Sequence, residues 1–111
     1  MRFLFTMLIL AATPAFSEIW LPLTADGIRD ALTDRHLDYG GAMQDFRASG
    51  RTLYNAGHDS WGTWDVRGDQ YCSQWPPNSA WACFDVDVNV SGDRIRFQGH
   101  GNDVTVGAYT K

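Results

Sequence analysis

Turn-forming residues interrupt the chain every few positions from about residue 40 onward, and the short segments between them alternate apolar and polar side chains. A period of two places successive side chains on opposite faces of a strand, whereas a helix repeats apolar residues three to four positions apart. Hairpin turns are predicted at 49–50, 68–69, 76–79 and 92–93. The pattern therefore predicts a mainly β fold, a small antiparallel meander that is either a closed barrel or a bent sheet.

One short helix is predicted before these strands. Thr24 is a suitable N-cap, and Asp26 places a negative charge in the first turn, where it suits the helix dipole. Apolar residues then recur at helical spacing, including Ile28 and Leu32. We therefore expect a helix over about residues 25–33, with one apolar face turned toward the sheet.

The two cysteines flank the third predicted hairpin. If residues 76–79 form a four-residue loop, Cys72 faces Cys83 and Tyr71 faces Phe84, with opposed Cβ atoms about 4.5–5.5 Å apart. Redox-active pairs usually follow a Cys-X-X-Cys pattern at a helix start, which this pair does not. A structural disulfide is therefore predicted on the outer face of the hairpin, contributing about 3 kcal/mol in the chain-entropy model.

The first residues have the layout of a secretory signal peptide, with a positive Arg2, an apolar run over 3–12 and small residues before Glu18. That run is about half of the ~20 residues that a membrane-spanning helix needs. Residues 1–17 are thus predicted to be removed, leaving residues 18–111 as one small domain with no stable membrane span. The predicted location is periplasmic or secreted, where disulfides persist.

The charge of the chain restricts its partners. It carries 9 Lys and Arg against 13 Asp and Glu, a net charge of −4 with the histidines neutral. An acidic domain repels phosphate backbones, so nucleic acid is not expected as a partner.

Alternating acids in one strand raise the question of a metal. Asp85, Asp87 and Asn89 resemble the start of a calcium loop, but an EF-hand loop needs Gly at its sixth position and Glu at its twelfth. Those positions hold Val90 and Arg96. A strand whose outer face is acidic and whose valines, including Val90, face the core explains the same residues. No metal site is predicted here.

Other sites of reaction are weakly supported. The histidines, His36, His58 and His100, have no metal-ligand spacing, and the chain lacks a Gly-x-Ser-x-Gly elbow, a P-loop and a dinucleotide fingerprint. The Arg-Gly-Asp tripeptide at 67–69 lies where a hairpin needs Gly and Asp, so it is interpreted as a turn. No catalytic residue and no cofactor are predicted, and a hydrolase using Asp59 or His58 is kept as an alternative.

The tryptophans differ in strand parity, which is the face of the strand, inward or outward, that alternation assigns to each position. Trp64 and Trp75 fall on the predicted core side of their strands. Trp61 has the parity opposite to Trp64, and Trp81 shares the face of Cys83, so these two are expected to be partly exposed.

An exposed tryptophan can anchor a binding partner. Trp61 and Trp81, with His58 and Asp59 in the loop beside them, are therefore predicted to form a contact surface for an unknown protein or an envelope glycan. The predicted function is a non-enzymatic binding module of the cell envelope. The alternative is a small inhibitor of exported hydrolases, a role that suits a compact disulfide-braced β-domain.

A longer motif supports a resemblance. The segment G-x-W-x-V-x-x-D-x-x-C-x-x-W, followed by a second cysteine, is present at Gly62, Trp64, Val66, Asp69, Cys72, Trp75 and Cys83. In this motif the chain resembles a family of short exported proteins of Gram-negative bacteria whose function is not established, over about residues 24–109. Some similar short proteins are named dihydrodipicolinate reductases, but this chain has no nucleotide-binding glycine motif. The resemblance implies no catalytic residue.

Overall fold

The computed structural model describes residues 18–110, so the predicted signal peptide lies outside the described residues. This part of the chain is built mainly of short strands, with one helix near its start. The elements in chain order are β1 (Trp20–Pro22), α1 (Ala25–Leu32), β2 (Arg35–Asp38), β3 (Met43–Phe46), β4 (Arg51–Asn55), β5 (Asp59–Arg67), β6 (Gln70–Gln74), β7 (Trp81–Asn89), β8 (Arg94–Gln98) and β9 (Val104–Tyr109).

The sheet closes on itself. Each strand from β2 to β9 pairs antiparallel with the next one in the chain, and β9 returns to pair with β2. This seam places Ala108 opposite Asp38 and Tyr109 opposite Leu37. Strands β2–β9 therefore form a closed eight-stranded up-and-down barrel, which confirms the mainly β prediction and selects the barrel over the bent sheet.

Strand directions divide the turns between the two ends of the barrel. One end, here called the mouth, carries the β2–β3, β4–β5, β6–β7 and β8–β9 turns. The opposite end, here called the closed end, carries the remaining turns and α1. The predicted hairpins are all present. The sequence analysis did not predict β1, which pairs with the end of β7, while β6 pairs with the start of the same strand.

The helix is confirmed, with a different cap from the one expected. Thr24 occupies the N-cap position but makes no side-chain cap hydrogen bond. Instead, the backbone N–H of Ala25 donates to Oδ1 of Asp69 at 2.9 Å, from the turn between β5 and β6. The acid of the Arg-Gly-Asp turn thus satisfies one of the free amides at the helix start.

The helix covers the closed end of the barrel. Ile28 and Leu32 are fully buried against the core. The hydroxyl of Tyr109, in the last strand, donates to the carbonyl of Ala31 at 2.6 Å and ties the strand to the helix. No helix in residues 18–110 is long and apolar enough to cross a membrane.

The core fills the closed half of the barrel. Phe46 is fully buried and packs edge-to-face on Trp64 and Tyr71, with ring centres 5.8 Å and 5.6 Å apart. Trp64 is buried as predicted, and its Nε1 donates to the carbonyl of Arg47 at 2.9 Å, so the one polar group of the indole is satisfied.

The disulfide hairpin has the predicted register. Cys72 lies opposite Cys83 and Tyr71 opposite Phe84 in the β6–β7 pair. The Cα atoms of the two cysteines are 4.0 Å apart and their sulfurs are bonded. The bond therefore braces neighbouring strands of the barrel wall from its outer side.

The exposure expected from the alternating pattern of β7 differs from the structure at three residues. Val90 was expected in the core but is 64% exposed, because β7 ends at Asn89 and the chain turns there. Asp87 and Asn89 were expected on an exposed face but are only 6% and 3% exposed, because the unpredicted β1 pairs beside them. Asp87 accepts hydrogen bonds from Arg96 at 2.9 Å and Gln98 at 2.8 Å, so its carboxylate links β7 to the neighbouring strand β8.

Candidate functional site

A cavity of about 620 Å³ lies inside the barrel, between the packed core and the mouth. Small-molecule sites typically span roughly 300–1,000 Å³, and a barrel of about eight strands is just wide enough to hold one small ligand. Pro76 and Thr105 line the cavity and are exposed, so it opens to solvent. Its wall is mainly aromatic, formed by Tyr39, Tyr54, Tyr71, Trp75, Phe84 and Phe97.

Inward-facing glycines leave room for these rings. A Cβ atom built on Gly62 would lie 2.7 Å from the indole of Trp75, and one built on Gly107 would lie 2.8 Å from the ring of Tyr39. Such distances are too short for real contacts. Each glycine therefore lets an aromatic ring approach the backbone of the wall more closely than a side chain would allow, which keeps the centre of the barrel open.

A buried amide organises the floor of the cavity. Nε2 of Gln44 donates to Oγ1 of Thr52 at 2.8 Å and to the hydroxyl of Tyr71 at 3.1 Å. Oε1 of the same side chain accepts from the hydroxyl of Tyr39 at 2.7 Å. The network fixes the two tyrosine rings and satisfies a polar side chain that would otherwise be costly to bury.

A second polar group lies next to this network. Nε1 of Trp75 donates to Oγ of Ser73 at 3.1 Å, and the Ser73 side chain is within hydrogen-bonding reach of the Tyr71 hydroxyl. Burial raises the pKa of Tyr71, an effect that the hydrogen bonds from Ser73 and Gln44 oppose. Burial also raises the pKa of Tyr39. Both hydroxyls therefore stay protonated near neutral pH, as neutral hydrogen-bonding groups.

None of the residues that line the cavity carries a charge. The polar ones are tyrosine, serine, threonine and glutamine side chains and the indole of tryptophan. The cavity therefore offers a ligand aromatic faces and a few neutral hydrogen-bonding groups, the composition expected of a binding site for a small uncharged molecule.

The sequence-predicted tryptophans lie on the outer face of the barrel, on β5 and β7, with β6 between them. Trp61 also touches the cavity and is 40% exposed. The guanidinium groups of Arg47 and Arg51 both stack on its ring, each 4.7 Å from the ring centre. Trp81 is half-buried beneath the guanidinium of Arg67, 4.0 Å from the ring centre. Arginine stacking of this kind stabilises an exposed indole.

His58 and Asp59 lie at the turn between β4 and β5, on the mouth. Both are exposed, and Oδ1 of Asp59 accepts from Nδ2 of Asn55 at 2.7 Å. The turn is close to Trp61 along the chain and two strands from Trp81, so a contact surface of all four residues stays a prediction. Within residues 18–110, no three His, Cys, Asp or Glu side chains come together in a way that would hold a metal ion.

Sequence reasoning missed the cavity. Gln44 and Ser73 have the strand parity of core residues, and both are buried. A polar side chain at a core position of a strand is unusual, and it is the signal that points to a polar site inside the barrel.

Comparisons of this chain with family models, with curated proteins and with solved structures find no match. The resemblance to exported proteins of Gram-negative bacteria therefore stays a prediction. A proposal for the function of this protein rests on the geometry of the barrel.

Proposed function

We propose that this protein is a non-enzymatic binding module of the cell envelope, which holds one small ligand inside its barrel. The observation that carries the proposal is the aromatic-lined cavity of about 620 Å³ that opens at the mouth. The closed end is filled by side chains such as Phe46 and by the helix residues Ile28 and Leu32. A ligand therefore enters and leaves through the mouth.

Export is part of the proposal. The disulfide between Cys72 and Cys83 fits an oxidising compartment. The layout of residues 1–17 favours a cleaved signal peptide, which would deliver the domain to the periplasm or the medium.

A pair of neighbouring substitutions tests the cavity. Thr105 pairs with Phe97 and lines the cavity, whereas Val104 pairs with Gln98 on the outer face and is 51% exposed. Thr105→Trp should fill the mouth, and Val104→Trp adds the same group outside. We expect the neutral fluorophore N-phenyl-1-naphthylamine to bind the parent and Val104→Trp with one site, and to bind Thr105→Trp at least tenfold more weakly.

The measurement is the fluorescence increase on titration, with circular dichroism to verify that both variants fold. Equal binding by the two variants, or no saturable binding by the parent, would show that the cavity is not the ligand site.

The inhibitor of exported hydrolases is the second candidate. It is favoured by the exposed Trp61 ring, on which Arg47 and Arg51 stack, because this outer surface is suited to a protein partner. A protein bound on this face would be captured equally by the parent and by Thr105→Trp, so the same pair of variants separates the two functions.

A further inference from the structure

We propose that the ligand is a neutral, planar aromatic compound with one hydrogen-bond acceptor, such as a ring carbonyl, that binds the hydroxyls of Tyr71 and Ser73. This inference rests on the proposed function, since it names the chemistry of the molecule that the barrel holds. Charge, ring geometry and the count of hydrogen-bond donors each support it.

The charge of the ligand follows from the lining. Among residues 18–110, no acidic, basic or histidine side chain lines the cavity. Arginines such as Arg47, Arg51 and Arg67 lie outside, stacked on the outer tryptophans. An ion moved into the cavity would lose its hydration without gaining an opposite charge, which is strongly unfavourable. The floor of the cavity is therefore unsuited to the charged group of a ligand.

The shape of the ligand follows from the rings. Tyr54 and Trp75 meet edge-to-face with centres 6.1 Å apart. Tyr71, Phe84 and Phe97 form a second cluster with centres 5.1–6.5 Å apart. Flat faces at several angles favour a molecule that can stack on one ring and meet the edge of another. A sugar, with hydroxyls on every side, would leave most of them without partners in such a site.

The hydrogen-bond acceptor of the ligand is inferred from the N–H and O–H hydrogens at the cavity floor. Both amide hydrogens of Gln44 are used, toward Thr52 and Tyr71, and the indole hydrogen of Trp75 is used toward Ser73. The Tyr71 and Ser73 hydroxyls each have one hydrogen, and a contact between these two groups uses only one of them. Among residues 18–110, neither hydroxyl donates to another group.

At least one hydroxyl hydrogen is therefore left facing the cavity. Tyr71 is only 5% exposed and Ser73 only 4%, and buried donors in folded proteins almost always have an acceptor. A carbonyl or ether oxygen on the edge of a bound aromatic ring would supply it.

Four probes of similar size test the ligand class: 2-acetylnaphthalene, naphthalene, 2-naphthoate and 1-decanol. Each competes with N-phenyl-1-naphthylamine for the parent protein. We expect 2-acetylnaphthalene to bind about tenfold more tightly than naphthalene, because it alone among the three aromatic probes adds a neutral acceptor. We expect 2-naphthoate, which is charged, and decanol, which is not aromatic, to bind more weakly than either.

The double variant Tyr71→Phe/Ser73→Ala removes both hydroxyls while keeping the aromatic ring. It should lose the preference for 2-acetylnaphthalene and bind naphthalene within about twofold of the parent. The ratio of the two affinities is measured on the same folded sample, so a general loss of affinity cancels. If the double variant fails to fold, the parent protein decides, because equal binding of naphthalene and 2-acetylnaphthalene would show that no hydroxyl hydrogen of the cavity floor binds the acceptor.

The outcomes separate the two proposals. If 2-naphthoate or decanol binds the parent best and Thr105→Trp abolishes that binding, the barrel is a ligand site and the ligand class is wrong. The ligand class is also wrong if naphthalene and 2-acetylnaphthalene bind the parent equally. If no probe binds, or if Thr105→Trp has no effect on any of them, both proposals are wrong.

Discussion

At the scale of single residues, Gly62 is the position where a small change should have a large effect. It faces inward on β5, and the indole of Trp75 lies against its backbone. A Cβ atom there would also lie 2.7 Å from the carbonyl oxygen of Gln74, which belongs to the neighbouring strand and cannot easily move. The absence of a side chain at Gly62 therefore positions one wall of the cavity.

Gly62→Ala should displace the Trp75 ring and destabilise the fold by about 1–3 kcal/mol, the usual effect of overpacking. The matched control is Gly41→Ala, where an added Cβ atom meets nothing within 4 Å and the backbone is not left-handed. The free energy of unfolding of the control should equal that of the parent within about 0.5 kcal/mol. Urea titration followed by tryptophan fluorescence measures both, and equal midpoints for the two variants would contradict the role of Gly62.

Residue parity predicted part of the site and failed where the chain leaves regular strands. Trp64 was assigned to the core from its parity in β5 and is buried. Val90 was assigned in the same way and is exposed, because parity carries no information beyond the last residue of a strand. Gln44 and Ser73 at core positions signalled a polar interior, but the size and outline of the cavity were not predictable. They depend on where the rings beside Gly62 and Gly107 come to lie, which period-two patterns do not specify.

At the scale of elements, the β6–β7 hairpin shows why local pairing was predictable. A loop over 76–79 sets which residues oppose one another, so the Cys72–Cys83 pair followed directly from the turn. β1 gave no comparable signal, because it has three residues, includes Pro22 and pairs with a strand far along the chain. A short turn sets the register of the two strands that it joins, so this register can be derived from the sequence. The pairing of segments that are distant in the chain cannot be derived in this way.

Loss of the disulfide should weaken the whole hairpin. In the double variant Cys72→Ala/Cys83→Ala we expect unfolding to become easier by about 3 kcal/mol, or about 10–25 °C in the thermal midpoint of a domain this small. Calorimetry on the parent, on the reduced parent and on the variant makes the comparison. Two free thiols in the native protein, or a variant whose thermal midpoint equals that of the oxidised parent, would rule out a stabilising bond.

At the scale of the whole molecule, buried tyrosines link stability to pH. Burial raises the pKa of Tyr39, Tyr71 and Tyr109 in the folded protein, while the adjacent Arg35 partly opposes the rise for Tyr109. In the unfolded chain these phenols ionise near their ordinary pKa of about 10. Their contribution to stability is therefore complete below about pH 10 and is lost as the pH rises above that value.

We expect the thermal midpoint to fall steeply between about pH 10 and 11.5, and less steeply in Tyr39→Phe, which removes one of these phenols. Only one lysine, Lys111, competes with tyrosine for titration in this range, since arginine stays charged. Phenolate absorbance recorded during the melts should rise mainly as the protein unfolds and these three tyrosines become exposed. An unchanged midpoint through pH 11, or identical slopes for parent and variant, would contradict this linkage.

The seam between β9 and β2 has a consequence for how the barrel is made. Its two register pairs join the ends of the meander, whereas strands β2 to β9 otherwise pair with their neighbours in the chain. Contacts between distant residues form more slowly than local hairpins, so we expect the seam to form last. Until then both end strands present unpaired edges, which are templates for association with another chain. The small seam is thus the step at which a newly made molecule either becomes a monomeric barrel or begins to aggregate.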